Sequence, residues 1–219
     1  TKAGENIDLT GGADTTFTTS NDDITFGTGT VEMGDGSNLI IDTDTGGGAI
    51  NSNASEELLL LNKILDFPVT NTLMGLGIYP ATHERFLGML GMHGTYQANM
   101  AMHNADLIIA VGARFDDRIT NTPSLFAPNA KIIHLDVDHS SVSKIIEANI
   151  AVFGQVKNSL IEIIKSLEIK KEMIDSKKIS HWKKQISEWQ SQHGLNHEMY
   201  LNENDDNPIM PQAVVQHIY

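Results

Sequence analysis

The chain has 219 residues, contains no cysteine and carries a formal net charge of −13. Without cysteine it forms no disulfide, thiolate nucleophile or zinc–sulfur site, and its acidic balance argues against a nucleic-acid partner, which would require a basic surface. No apolar run approaches the roughly 20 residues of a membrane-spanning helix, and no targeting segment stands at the start. The sequence therefore predicts a soluble, cytoplasmic globular protein that contacts neither membranes nor nucleic acids.

Residues 1–45 differ from the rest of the chain in composition. They hold nine acidic residues and one basic residue, and they are rich in Thr, Gly and Asp. Two short pieces, Ile24–Phe26 and Leu39–Ile41, favour strands and are separated by turn residues. This pattern is typical of adhesin-like β-repeats, and it predicts either a ragged set of strands or a disordered segment.

From Gly46 onward the chain alternates between helix and strand patterns. The glycine run Gly46–Gly48 predicts a tight turn, and Ser52 or Asn53 is a candidate cap for a helix whose apolar positions recur at helical spacing. Repeated crossovers of this kind predict an α/β fold with a doubly wound parallel sheet, Rossmann-like, over residues 46–170. Further strands are predicted at 68–72, 107–111, 131–136 and 150–154, and further helices at 95–104, 142–148 and 156–167.

A helical segment and a polar linker follow the sheet pattern and span residues 171–207. Within it, Trp182, Ile186 and Trp189 recur at helical spacing and predict a helix that docks on its neighbours. A proline then opens a further helix. Residues 208–219 are therefore predicted to begin another domain.

The stretch Gly88–Arg118 combines the features of a ligand site. A glycine-rich loop precedes a helix with small residues, a continuous apolar strand follows, and charge is concentrated in the loop after that strand. In α/β proteins ligands bind at the carboxyl ends of parallel strands, and a glycine-rich loop before a helix suits a phosphate-bearing ligand. Asp136, at the end of another strand, has a position that suits a ribose hydroxyl.

No group of residues predicts a catalytic centre. Ser140 and Ser141 lie near His139 in the sequence, but they are interpreted as helix caps. The spacing of the histidines does not indicate a metal site. His93, inside the glycine-rich loop, is equally compatible with a ligand contact and with a structural hydrogen bond. The residues alone therefore predict a nucleotide-binding domain without a catalytic or metal site.

Several ordered strings of residues resemble the catalytic large subunits of the acetolactate synthase (acetohydroxyacid synthase) family of thiamine-diphosphate enzymes. The resemblance covers about residues 46–170 and continues more weakly to Tyr219. It is carried by the strings 73–77 (Leu-Met-Gly-Leu-Gly), 88–96 (Gly-Met-Leu-Gly-Met-His-Gly-Thr-Tyr), 98–101 (Ala-Asn-Met-Ala), 105–106 (Ala-Asp), 111–118 (Val-Gly-Ala-Arg-Phe-Asp-Asp-Arg) and 134–138 (His-Leu-Asp-Val-Asp).

The resemblance implies the central, FAD-binding domain of a three-domain enzyme. The family joins two pyruvates, or pyruvate and 2-oxobutyrate, with loss of carbon dioxide, in the synthesis of the branched-chain amino acids isoleucine and valine. It uses thiamine diphosphate and Mg2+, and it carries FAD in a mainly structural role. Its members form homodimers or tetramers and pair with a small regulatory subunit.

The resemblance also implies which residues bind ligands. Arg118 matches an arginine that recognises the second 2-oxo acid, and a guanidinium suits a carboxylate. The catalytic and metal-binding residues of the family belong to its other two domains, so this fragment alone is expected to be inactive, with residues 208–219 beginning the C-terminal thiamine-diphosphate domain. The implied FAD-binding residues are Gly46, Gly47, Gly48, Thr72, Leu73, Met74, Met92, His93, Gly94, Thr95, Gly112, Ala113, Arg114, Asp116, Asp136, Val137 and Ser141.

The start of the chain departs from the family. Its members have an apolar strand directly before the three glycines, whereas Asp42–Thr45 stands there in this chain, so Leu39–Ile41 could supply that strand only through a longer connection. Residues 1–45 are therefore expected to be foreign to the family. Two alternatives stay open, namely a related thiamine-diphosphate oxidase or decarboxylase with the same domain, and a non-enzymatic surface β-repeat protein.

Overall fold

A computed structural model describes residues 53–169, 176–194 and 211–218, together with the strands at 15–18 and 37–41. The predictions for Gly46, Gly47 and Gly48 and for the linker after residue 194 lie outside the described residues. The strands are β1 Thr15–Thr18, β2 Ser37–Ile41, β3 Val69–Asn71, β4 Phe86–Met89, β5 Leu107–Val111, β6 Lys131–Asp136 and β7 Ile150–Phe153. The helices are α1 Ser55–Leu65, α2 Tyr96–His103, α3 Asp117–Thr120, α4 Val156–Ile169, α5 Ser176–His193 and α6 Pro211–Ile218, with a 3-10 turn at Pro123–Leu125.

The strands form one sheet in the order β1-β7-β6-β5-β2-β3-β4. Every neighbouring pair in it is parallel. From β2 the chain moves outward through β3 to β4, returns to place β5 on the other side of β2, and then moves outward through β6 and β7. This reversal confirms the predicted doubly wound sheet, and it creates a topological switch point between β2 and β5.

The apolar strand β5 has a packed layer on each face. Leu107, Ile109 and Val111 belong to a core cluster that contains the buried side chains of α1 and α4. The alternate residues Ile108 and Ala110 belong to a second cluster that contains the buried side chains of α2 and α5. Since successive side chains of a strand point to opposite faces, a continuous apolar run is what a strand covered on both sides requires.

Strand β2 is central in the sheet although it precedes the glycine run. Leu39 pairs with Val69 of β3 on one side and with Ile109 of β5 on the other. The β-prone piece Leu39–Ile41 therefore supplies the strand before the glycines, through the longer connection, and β1 pairs with β7 at the edge. The domain boundary after residue 45 stays a prediction.

The predicted helix over 142–148 is wrong, because this segment forms turns. Ser143 has a left-handed backbone with a φ of 57°, and its hydroxyl accepts a hydrogen bond from the amide of Ala148 at 3.1 Å. A serine hydroxyl that takes a nearby backbone group in this way competes with helix formation.

Two predictions near helix starts are also corrected. Helix α1 has Ala54 as its N-cap residue, so the candidate Asn53, which has a φ of 50°, does not occupy that position. The other candidate, Ser52, lies outside the described residues. The first part of the predicted glycine-rich loop is a strand, because Phe86–Met89 pairs with β3.

Helix α5 packs as the sequence predicts. Trp182 and Ile186 are buried in the cluster of α2, and the ring of Trp189 meets that of Trp182 edge-on at 5.5 Å. Among the described residues, no helix combines the length and apolar character needed to cross a membrane.

Candidate functional site

The loops that follow the strands lie together at the carboxyl edge of the sheet, because all of the strands are parallel. Residues 72–74 follow β3, residues 90–95 follow β4, residues 112–116 follow β5 and residues 137–141 follow β6. This edge is where ligands bind in doubly wound folds. The described residues predicted to bind FAD and substrate therefore belong to one region of the fold.

A cavity of about 370 Å³ opens among these loops. Met89, Leu90 and Ile119, which sequence reasoning did not single out, complete its lining. The other described residues that were predicted to bind FAD lie outside this lining. They are Gly94, Thr95, Gly112, Ala113, Arg114, Asp136, Val137 and Ser141. Seven predicted residues line the cavity: Thr72, Leu73, Met74, Met92, His93, Asp116 and Arg118.

The rim of the cavity is apolar and exposed. Leu73, Met74 and Met92 are 68%, 55% and 64% exposed, although leucine and methionine side chains are usually buried. The turn after β3 holds the first two outward, since Asn71 Nδ2 donates to the carbonyl of Gly75 at 2.7 Å. Exposed apolar side chains around a concave site favour the burial of an apolar ligand surface.

The loop after β4 is shaped by close backbone packing. Gly94 has no room for a side chain, because a Cβ there would lie 2.5 Å from the carbonyl oxygen of Met89. Thr95 then caps α2 by accepting from the amide of Ala98 at 3.3 Å, and it donates to the carbonyl of Leu87 at 2.6 Å. These contacts leave His93 exposed on the cavity lining.

The loop after β5 presents the charges. Phe115 has a left-handed backbone with a φ of 54° and a buried ring. Asp116 caps α3 through the amide of Arg118 at 3.2 Å, and its other carboxylate oxygen lies 3.6 Å from Nη2 of Arg114. Arg118 is exposed and lines the cavity, so its guanidinium is available to an anionic group.

Asp136 is turned into the protein rather than towards solvent. Its side chain is fully buried, and one carboxylate oxygen accepts from the amide of Asp138 at 2.8 Å. The other lies 4.0 Å from Nε2 of the equally buried His134. Burial lowers the pKa of His134, while the carboxylate of Asp136 and a hydrogen bond from the imidazole to the backbone of Ala113 oppose that shift. A role for Asp136 at a ribose stays a prediction.

Asp138 organises the loop after β6 and was missed by sequence reasoning. It accepts from the amide and hydroxyl of Ser140 at 2.8 and 2.9 Å and from the hydroxyl of Ser141 at 3.0 Å. The hydrogen bonds from Ser140 lower the pKa of Asp138. An aspartate two residues before a serine is a turn signal, which could have identified this loop.

A second cavity of about 520 Å³ lies beside the first. The two share Leu90, Met92, Arg118 and Ile119, so they adjoin along these residues. Asn99 lines only this second cavity. Among the residues that line the first cavity, none forms a nucleophile–base pair. The first cavity is therefore suited to binding a ligand that has both apolar and anionic parts.

Known proteins match this chain over the same region. The thiamine pyrophosphate enzyme central domain family matches residues 45–163. The acetolactate synthase large subunit of Buchnera aphidicola (from Acyrthosiphon pisum) is 42% identical over 174 residues, which are 80% of this chain and 29% of that protein.

Two further relatives give similar values. The acetolactate synthase isozyme 3 large subunit of Escherichia coli K12 is 41% identical over the same shares of both chains. A probable acetolactate synthase large subunit of Methanocaldococcus jannaschii is 42% identical over 78% of this chain and 27% of its own length. The chain thus spans less than a third of these relatives, and it belongs to the family of central domains of thiamine pyrophosphate enzymes.

Proposed function

We propose that this chain is the FAD-binding central domain of an acetolactate synthase large subunit. The enzyme would join two pyruvates, or pyruvate and 2-oxobutyrate, with loss of carbon dioxide, in branched-chain amino-acid synthesis. The observation that carries the proposal is the meeting of Thr72–Met74, Met92, His93 and Arg118 around one cavity at the carboxyl edge of the sheet. The similarity of the chain to acetolactate synthase large subunits supports the choice of reaction.

The lining of the cavity fits part of a flavin nucleotide. Leu73, Met74 and Met92 offer apolar surface to a flat ring system, and His93 and Arg118 add polar groups to the same lining. When bound, FAD would supply a mainly structural element of the site. Thiamine diphosphate and Mg2+ would belong to other parts of the whole enzyme.

Arg118 would recognise the carboxylate of the second 2-oxo acid. Its planar guanidinium donates two parallel hydrogen bonds to a carboxylate. The carboxylate of Asp116 accepts a hydrogen bond from the backbone amide of Arg118 and lies near the side chain of Arg114. The side chain of Arg118 is exposed at the cavity. The whole enzyme would be a cytoplasmic homodimer or tetramer that pairs with a small regulatory subunit.

The cofactor assignment is tested on the chain itself. FAD is titrated into the 219-residue protein, and binding is read from the quenching of flavin fluorescence. We expect saturable binding that Leu73→Ala weakens. Leu76→Ala is the matched control, because Leu76 lies in the same turn and is 44% exposed but does not line the cavity. Equal binding by both variants would place the flavin elsewhere.

The reaction is tested on the full-length protein that contains this chain. We expect it to purify with bound flavin and to convert pyruvate to acetolactate when thiamine diphosphate and Mg2+ are present. Acetaldehyde or acetyl phosphate as the product would instead identify a related decarboxylase or oxidase. Arg118→Ala is expected to raise the KM for the second 2-oxo acid, since the carboxylate loses its partner.

A further inference from the structure

The backbone of Arg118 is held at both ends by hydrogen bonds. Its amide donates to Oδ1 of Asp116 at 3.2 Å. Its carbonyl accepts from the amide of Met92 at 2.9 Å, across the gap between the loops after β4 and β5. The second contact joins the backbone of Arg118, in the loop after β5, to the backbone of Met92, in the loop after β4.

The peptide group that makes this second contact is itself held by Asn99. Nδ2 of Asn99 donates to the carbonyl of Gly91 at 3.0 Å, and that carbonyl belongs to the same peptide group as the amide of Met92. The other end of the Asn99 amide, Oδ1, accepts from the amide of Gly91 at 2.7 Å. One side chain therefore fixes the peptide groups on both sides of Gly91.

The contact between the loops also depends on the absence of a side chain at Gly91. Its φ is 94°. A Cβ there would overlap the carbonyl oxygen of Arg118 and lie 3.2 Å from the carbonyl carbon. The loops are consequently in direct backbone contact, and a rotation of the Gly91–Met92 peptide would be transmitted to Arg118 without an intervening side chain.

We propose that Asn99 is a positioning residue for Arg118. It acts through a linear series of hydrogen bonds, from the Asn99 amide to the Gly91–Met92 peptide and from that peptide to the carbonyl of Arg118. Hydrogen bonds in series polarise and strengthen one another. Asn99 is absent from the lining of the first cavity, although it and Arg118 both line the second. Both ends of its amide are bonded to the Gly91 backbone, so we expect its effect on substrate to pass through that backbone. This inference rests on the proposed role of Arg118 in carboxylate recognition.

The kinetic test uses Asn99→Ala in the full-length enzyme. Because a small misplacement of a binding group is costly, we expect the KM for the second 2-oxo acid to rise about tenfold, with kcat within about twofold of wild type. Asn104→Ala is the matched control, since Asn104 terminates the same helix and donates one side-chain hydrogen bond, to the carbonyl of Met100 at 2.8 Å. The control should leave KM unchanged.

Two further variants separate positioning from general stabilisation. Asn99→Asp keeps an acceptor for the Gly91 amide but loses the donor to its carbonyl, so it should raise KM at least partway towards the value of Asn99→Ala. In an Arg118→Ala background, Asn99→Ala should add no further change in KM, because the group that it positions is gone. An additional rise in that background would overturn the proposal.

A structural readout on the 219-residue chain needs no activity. Hydrogen exchange at the Met92 amide should accelerate in Asn99→Ala and stay at the wild-type rate in Asn104→Ala. If Arg118→Ala leaves KM unchanged, the proposed role of Arg118 fails and the positioning role fails with it. If Arg118→Ala raises KM while Asn99→Ala behaves like Asn104→Ala in both assays, only the positioning role is overturned.

Discussion

The two edges of the sheet differ in how their polar groups are used. At the amino edge, buried Asn62 donates to the carbonyl of Phe67 at 2.6 Å and accepts from the hydroxyl of Tyr79 at 2.7 Å. The same hydroxyl lies 2.9 Å from Nδ1 of His83. These side chains bond to one another. At the carboxyl edge, the hydrogen bonds of the loops are mostly to backbone, and Arg118 lies exposed at a cavity.

The charged groups follow the same division. At the amino edge Asp66 accepts from Arg85 Nε at 2.5 Å and from Lys183, which joins α1, the start of β4 and α5. At the carboxyl edge Asp116 uses its carboxylate to cap a helix that carries Arg118. Partners satisfied within the protein stabilise the fold, whereas side chains left exposed at a cavity are available to a ligand. The amino edge therefore holds polar networks that are satisfied within the protein, whereas the carboxyl edge holds the candidate binding groups.

The largest expected effect tests how closely the loops of the carboxyl edge are packed. Gly91→Ala should lower the free energy of unfolding by about 3 kcal/mol, since it adds both strain and overlap with the Arg118 backbone. Gly77→Ala is the control, because Gly77 has a nearly equal φ of 95° but nothing within 4 Å of an added Cβ. It should cost about 1 kcal/mol, as measured by urea denaturation. Equal losses would mean that the loops can separate freely.

The sheet was predictable from the sequence because its strands are marked by apolar runs. Leu107–Val111 is apolar at every position, and a strand buried on both faces requires this. The seven predicted residues that meet at the cavity follow from the rule that binding loops lie at the carboxyl ends of parallel strands. Their selection among all loop residues came from the family resemblance.

Other features could not be predicted because they depend on individual hydrogen bonds, backbone angles and strand pairings that the apolar pattern does not encode. Nothing in the local pattern around Asn99 indicates that its amide bonds Gly91, which lies in a loop eight residues earlier. The turns over 142–148 arise from left-handed Ser143, although the segment has a helical apolar spacing. The central position of β2 was equally hidden, because its partners are Val69 and Ile109.

The amino edge is tested by Tyr79→Phe. The ring stays buried, but Asn62 Oδ1 loses the hydroxyl that donates to it, and an unsatisfied buried acceptor costs about 1–2 kcal/mol. Tyr96→Phe, at a tyrosine that is 41% exposed, should cost nothing measurable. Burial raises the pKa of Tyr79 to about 12, so the loss should be the same at pH 7 and pH 9. A loss equal to that of Tyr96→Phe would contradict a stabilising network.

Between the two edges, buried His134 should make stability depend on pH. Burial lowers its folded-state pKa, so the unfolded chain binds the proton first and stability falls as the pH drops below about 6.5. His134→Leu should remove roughly 1 kcal/mol of this loss between pH 7.5 and pH 5.5. His103→Leu, at an exposed position, should keep the wild-type dependence. Parallel pH profiles for wild type and His134→Leu would show that the pKa of His134 is the same in the folded and the unfolded chain.

The smallest expected effect concerns the ion pairs of Asp66. Its side chain is 47% exposed, so solvent screening limits the loss in Asp66→Asn to about 0.5 kcal/mol at pH 7. Although burial opposes the shift, hydrogen bonds from Lys183 and Arg85 lower the pKa of Asp66. The ion pairs of Asp66 therefore contribute their full stabilisation above the unfolded-state pKa of Asp66. This stabilisation disappears as the pH falls through the lower folded-state pKa. Wild type and Asp66→Asn should therefore converge in stability below about pH 4, whereas a difference that persists in acid would assign the effect to packing.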